Sequence, residues 1–191
     1  MQQIKPQNNN NTSKSYAGIK DFCSSTKDLS TILKGKLITK IKVIWSDCLV
    51  GLEIFFHGDS TGILKGTSEK KTFEENFDFP GGEYITQIFG RQGTHINCFG
   101  FKLSNGLIKT WGNPIEGEPF CFSVEGFYIQ TFNFGVGENL NFIEPIFMDT
   151  KFLYAKDLPF NQETKTTESL GNHITRAKDF DHIQWIKDKM N

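Results

Sequence analysis

The sequence predicts an all-β fold in which three small antiparallel sheets pack around a pseudo-threefold axis as a prism, followed by a short amphipathic helix. Three observations predict it. An apolar pattern recurs three times without gaps. Short runs of alternating β-branched and aromatic residues are separated by glycine- and proline-marked corners. Aromatic residues make up 14% of the chain, enough to fill a shared axis. The repeat starts at Gly35, Gly82 and Gly126, with successive starts 47 and 44 residues apart, near the length of a four-stranded unit with short turns. In register, Ile38 matches Ile85 and Ile129, and Ile41 matches Ile88 and Phe132. Further on, Leu49, Ile96 and Leu140 coincide, then Leu52, Phe99 and Ile143, then Phe56, Leu103 and Phe147. Three sheets that each have one apolar face bury those faces by packing round a common axis. A two-sheet sandwich is the competing arrangement for short strands with frequent turns.

Each copy reads as two strands around a short loop, at Ser46, Gly93 or Gly137. Two more short strands follow in the first copy, near Gly62 to Gly66 and Lys71 to Phe79, and in the second, near Leu107 to Trp111 and Phe120 to Val124. The third copy runs out after Met148. Chain from elsewhere must complete its sheet, and the segments Phe22 to Leu33 and Phe152 to Tyr154 are both available.

At the join of the first and second copies stands Phe77 to Gly90, FDFPGGEYITQIFG. Behind the Pro80-Gly81-Gly82 corner, Tyr84, Thr86 and Ile88 alternate with Ile85, Gln87 and Phe89, as in a strand packed on both faces. Gly81 and Gly82 permit a positive φ that other residues resist. This phrase resembles the hallmark of jacalin-type lectin domains, and the likeness extends from about Leu33 to Met148. The resemblance implies a β-prism of three antiparallel Greek-key sheets and a sugar site that needs no metal.

The 191 residues divide into a polar tail (1–20), a prism domain (21–150), and a linker with a helix (151–191). A domain of that size buries roughly two-thirds of its unfolded surface. The tail, with Asn8 to Asn11 in a row, has too little apolar surface to offset the entropy of ordering. From Ile174 the apolar residues Ala177, Phe180, Ile183, Ile186 and Met190 recur every three or four positions. Such a helix is too short to stand alone and needs a surface, on its own prism or on a protein partner.

Several function classes fall away. A formal net charge of -1 with scattered lysines and arginines gives no footprint for nucleic acid. No apolar run is long enough for membrane insertion, and Met1-Gln2-Gln3 leads into asparagines and not into a signal core, so an intracellular location is expected. Cys23, Cys48, Cys98 and Cys121 are widely spaced with no CxxC pair, so free thiols are expected and no metal site. His57 beside Asp59, His95, His173 and His182 have no partner at relay spacing, and no phosphate-binding glycine loop occurs. No cofactor and no catalytic residue are expected.

The loops at the start of each second strand are the functional candidates, since they cap rigid sheets. The main candidate is Gly137, Glu138, Asn139, Leu140 and Asn141, and the second is Gly93, Thr94, His95, Ile96 and Asn97. In sugar-binding jacalin-like domains the corresponding segment looks like GxxxD, whose backbone N–H groups and Asp carboxylate hold adjacent hydroxyls. Here the last residue is Asn141, which offers one acceptor and an NH₂ donor in place of a charge-assisted acceptor. The second loop also ends in Asn97, and Ser46 to Val50 lacks both glycine and terminal aspartate. The family's glycine-rich loop near the domain start is likewise absent from Phe22 to Asp28. The sequence therefore points first to a non-enzymatic interaction protein, a β-prism docked by its tails into a larger intracellular assembly. The rival is a working carbohydrate-binding lectin of the mannose or galactose class.

Overall fold

A computed structural model of the chain describes residues 16–29 and 36–153. Its first segment carries two short strands, β1 (Ala17–Gly18) and β2 (Ser25–Lys27), with a 3-10 turn at Lys20–Phe22 between them. The first copy contributes β3 (Ile38–Trp45), β4 (Leu49–Phe56), β5 (Asp59–Ser60), β6 (Leu64–Lys65) and β7 (Phe73–Asp78). The second contributes β8 (Ile85–Gln92), β9 (Ile96–Leu103), β10 (Ile108–Gly112) and β11 (Glu118–Phe122). The third contributes β12 (Phe127–Val136) and β13 (Leu140–Asp149), followed by a 3-10 turn at Thr150–Leu153.

All pairings are antiparallel and follow one plan. In the first copy the order is β7-β3-β4-β6, and in the second it is β11-β8-β9-β10. Each is a hairpin whose third strand pairs with the second and whose fourth returns to the first, the Greek-key order. The third copy has the same plan with borrowed strands, since β1 pairs with β13 and β2 with β12. The first segment therefore closes the third sheet. Thr150 donates instead to the Gly126 carbonyl at 3.0 Å, in a turn and not a strand. The expected boundary at residue 21 consequently lies inside the sheet-forming segment, because Ala17 is fully buried against β13.

The copies share more than strand order. Their central hairpins slip register at equivalent places, between Ile38 and Lys40, Ile85 and Gln87, and Ile129 and Thr131. A second slip falls at Trp45, Gln92 and Val136, at the mouth of each hairpin loop. Such bulges sharpen twist and bend the sheet, which lets a small sheet wrap an axis. The pairing of Ile129 with Ile85 stitches the second and third units together, so hydrogen bonding runs as one eight-stranded and one five-stranded sheet.

The repeat positions are the core. Ile41, Ile88 and Phe132 are fully buried, as are Leu49, Ile96 and Leu140, and Leu52, Phe99 and Ile143. Aromatic rings join the copies: Phe77 meets Phe101 edge-on at 5.4 Å, and Phe99 meets Phe132 at 5.6 Å. Burying each such side chain contributes about 1.5–3 kcal/mol. The Pro80–Gly82 corner turns as expected, with Gly82 at φ 83° and Glu83 donating to the Pro80 carbonyl. The amphipathic stretch from Ile174 to Met190 lies outside the described residues. Among the described residues no helix is long and apolar enough to cross a membrane.

Candidate functional site

The three hairpin loops open at one end of the prism and close in the same way. Ser46 N–H donates to the Cys48 carbonyl at 2.8 Å, Gly93 to His95 at 2.8 Å and Gly137 to Asn139 at 3.0 Å. One residue into each second strand, the carbonyls of Val50, Asn97 and Asn141 accept from the amides of Gly66, Asn113 and Ile19, the residues just after β6, β10 and β1 respectively. The two candidate loops predicted from the sequence therefore occupy equivalent places, and they touch.

The contact runs through Asn141, a buried residue. Its carboxamide oxygen accepts the Gly137 N–H at 2.6 Å, and its NH₂ group donates to the Thr94 carbonyl at 2.9 Å in the neighbouring loop. Both ends of the side chain thus serve the protein itself. On the opposite side, Thr67 and Ser68 donate their N–H groups to the Gly137 and Glu138 carbonyls at 3.1 and 2.9 Å. Gly66 makes this approach possible, because a Cβ there would lie 2.2 Å from the Glu138 carbonyl oxygen. Gly137 is required for a similar reason, with the Phe22 carbonyl 2.3 Å from where its Cβ would stand. The loop is held from all three copies.

Of the five residues in this loop, Leu140 faces the core and Asn141 is internal, whereas Glu138 is exposed and Asn139 is half-buried. The carboxylate of Glu138 is the charged acceptor presented to solvent. In the second loop Ile96 is core and Asn97 is buried, while Thr94 is exposed and its hydroxyl lies 3.1 Å from His95 Nδ1. The first loop carries an exposed ion pair, Asp47 with Lys70 at 2.9 Å, and hydrogen bonds from Lys70 and then Ser46 hold the Asp47 carboxyl down at about 2. Lys70 is pushed up by the same pairing.

The four cysteines are free thiols. Burial pushes Cys98 up to about 12, and raises Cys48 and Cys121 as well, so these thiols are poor nucleophiles. Among the described residues no three His, Cys, Asp or Glu side chains gather as a metal-ligand group. His57 is exposed in the turn between β4 and β5. Sequence reading missed Gly66, Thr67 and Ser68, which sit some seventy residues from the loop they clasp and carry no motif. It also missed the role of Phe22, an exposed residue whose backbone carbonyl lies against Gly137 and whose only sequence signal is an aromatic residue among polar ones.

No protein-family model matches the chain, and no curated protein matches it. Solved structures do. Malaysian banana lectin is 22% identical with a TM-score of 0.58, covering 70% of this chain and 95% of its own. A mannose-binding jacalin-related lectin from Ananas comosus is 20% identical with a TM-score of 0.56, covering 70% and 94%. The lectin MPA in complex with T-antigen disaccharide is 18% identical with a TM-score of 0.52, covering 58% and 91%. With the three Greek-key units above, these similarities define the class: a β-prism of lectin architecture. More particularly, the chain has the jacalin-type lectin fold.

Proposed function

We infer that the protein is a non-catalytic, metal-independent carbohydrate-binding protein whose ligand sits at the prism end capped by residues 137–141. One observation carries this reading: the loop is pre-organised by groups from all three copies, and it presents the Glu138 carboxylate to solvent. A pre-formed site loses little freedom on binding, and a carboxylate makes charge-assisted hydrogen bonds to hydroxyls. The similarity to a mannose-binding lectin and to a lectin holding a T-antigen disaccharide supports a ligand of the mannose or galactose class. In this reading Asn141 shapes the loop and Glu138 supplies the acceptor. The test is a glycan array with the full-length chain, with and without a calcium chelator, followed by titration of Glu138→Gln. Binding should survive the chelator and weaken about tenfold in the variant. An empty array, or a variant that binds as the parent does, overturns it.

A second reading is favoured by one feature, the engagement of both carboxamide groups of Asn141 inside the protein. Each end is already committed to a bond inside the protein at the position from which the family resemblance implies a hydroxyl clamp. The prism would then be an interaction module of a larger intracellular assembly, docked through Ile174, Ala177, Phe180, Ile183, Ile186 and Met190. Affinity capture with the full chain and with a chain ending at Leu153 tests this. A defined complex lost on truncation, together with an empty array, supports the second reading; equal capture by both chains sinks it.

A further inference from the structure

We propose that Phe22 is the apolar platform of the glycan site, packing against the C–H face of a pyranose whose hydroxyls face Glu138 and the 137–141 loop. This deepens the carbohydrate-binding reading and rests on it. Phe22 is 56% exposed, although the turn that carries it is held firmly. Ile19 N–H donates to the Asn141 carbonyl at 2.9 Å before the turn, and Ser24 N–H donates to the Val136 carbonyl at 2.8 Å after it. Within the turn Cys23 donates to the Lys20 carbonyl, and the Lys20 ammonium pairs with Glu144 at 2.9 Å. The turn is thus tied to both sides of the 137–141 loop, and the Phe22 backbone lies directly against Gly137.

A phenyl ring displayed on so fixed a support contributes little to folding, because folding stability comes from rings removed from water. It is well suited to a ligand with one apolar and one hydroxyl-rich face. A pyranose has such faces, and its ring C–H groups pack on an aromatic surface while its hydroxyls seek acceptors. The exposed phenylalanine of this fixed turn and the exposed carboxylate of the loop to which the turn is bonded supply the two halves.

The experiment titrates methyl α-mannoside and methyl β-galactoside into the full-length protein, Phe22→Ala and Phe22→Trp by calorimetry, with thermal melts in parallel. For the glycoside that the parent binds, Phe22→Ala should lose about tenfold in affinity with an unchanged melting temperature, and Phe22→Trp should keep or improve it. A parent that binds while Phe22→Ala binds equally well overturns the platform and leaves the glycan reading standing. An empty glycan array for the parent overturns that reading, and this inference with it.

Discussion

Asn141 and Thr94, 47 residues apart, are joined by a hydrogen bond of 2.9 Å from the Asn141 carboxamide to the Thr94 carbonyl. The other end of the same carboxamide accepts from Gly137 at 2.6 Å. Only a group with a donor and an acceptor on one planar end can make both bonds, which is what an amide offers and a carboxylate does not.

Restoring the acidic residue at this position should therefore weaken the fold. In Asn141→Asp a carboxylate oxygen would face the Thr94 carbonyl in a buried setting, losing a donor and adding repulsion. A loss of about 1–3 kcal/mol at neutral pH is expected, read as a lower urea midpoint. Part of it should return in acid, where the introduced carboxyl can again donate a proton. Unchanged stability at neutral pH would show that the side chain is not held as described.

Gly66→Ala tests the clasp between the first and third copies. Its Cβ would stand 2.2 Å from the Glu138 carbonyl oxygen, which is backbone and has little room to yield. The expected cost is about 1–3 kcal/mol, with faster amide exchange at Thr67 and Ser68. Gly93→Ala is the control, since nothing lies within 4 Å of the added carbon there, and it should be nearly neutral.

Deleting the chain through Leu29 removes β1 and β2 and two buried side chains, Ala17 and Leu29. The β13 edge at Phe142 and Ile143 and the Phe134–Val136 end of β12 then lie open, while Ile129 keeps its pairing with Ile85. The expected loss is on the order of 5 kcal/mol, comparable to the whole stability of a marginal domain. Circular dichroism and gel filtration should show an unfolded or self-associating product, because open strand edges pair with other chains. A monomeric product with native melting behaviour would contradict the assignment of these strands.

Glu75 links the first and second copies, pairing with Lys109 at 2.6 Å and accepting from Trp111 Nε1 at 2.9 Å. Burial raises its carboxyl, but the hydrogen bonds from Lys109 and Trp111 outweigh this and leave it lowered. A carboxyl lowered by folding contributes stability above its unfolded value, and that stability is lost as pH falls through the folded value. Stability of the parent should thus decline in acid between those two values. Glu75→Gln should be less stable at pH 7 and should show a flatter decline there. Parallel pH curves for the two proteins would remove Glu75 from this role.

The corner at Gly82 and the core at Ile41, Ile88 and Phe132 were legible in the sequence because each leaves a local record. Alternation marks which face of a strand is buried, and a three-copy period marks how many sheets share the axis. The Asn at position 141 was legible too, as a departure from an acidic clamp, but its meaning was not. Reading it as a weakened ligand for hydroxyls left out the Thr94 carbonyl that engages it.

By itself, then, the sequence determined three repeated hairpins, their apolar faces and the loops that cap them, since periodic burial is written residue by residue along each strand. The tertiary structure alone decided three things: that Ala17–Gly18 and Ser25–Lys27 complete the third sheet, that Thr67 and Ser68 clasp Gly137 and Glu138, and that the backbone carbonyl of Phe22 lies against Gly137. Strands of two or three residues carry no mark of their partner, and backbone hydrogen bonds are blind to side-chain identity. Those pairings are set only when distant segments are brought together around the shared aromatic core.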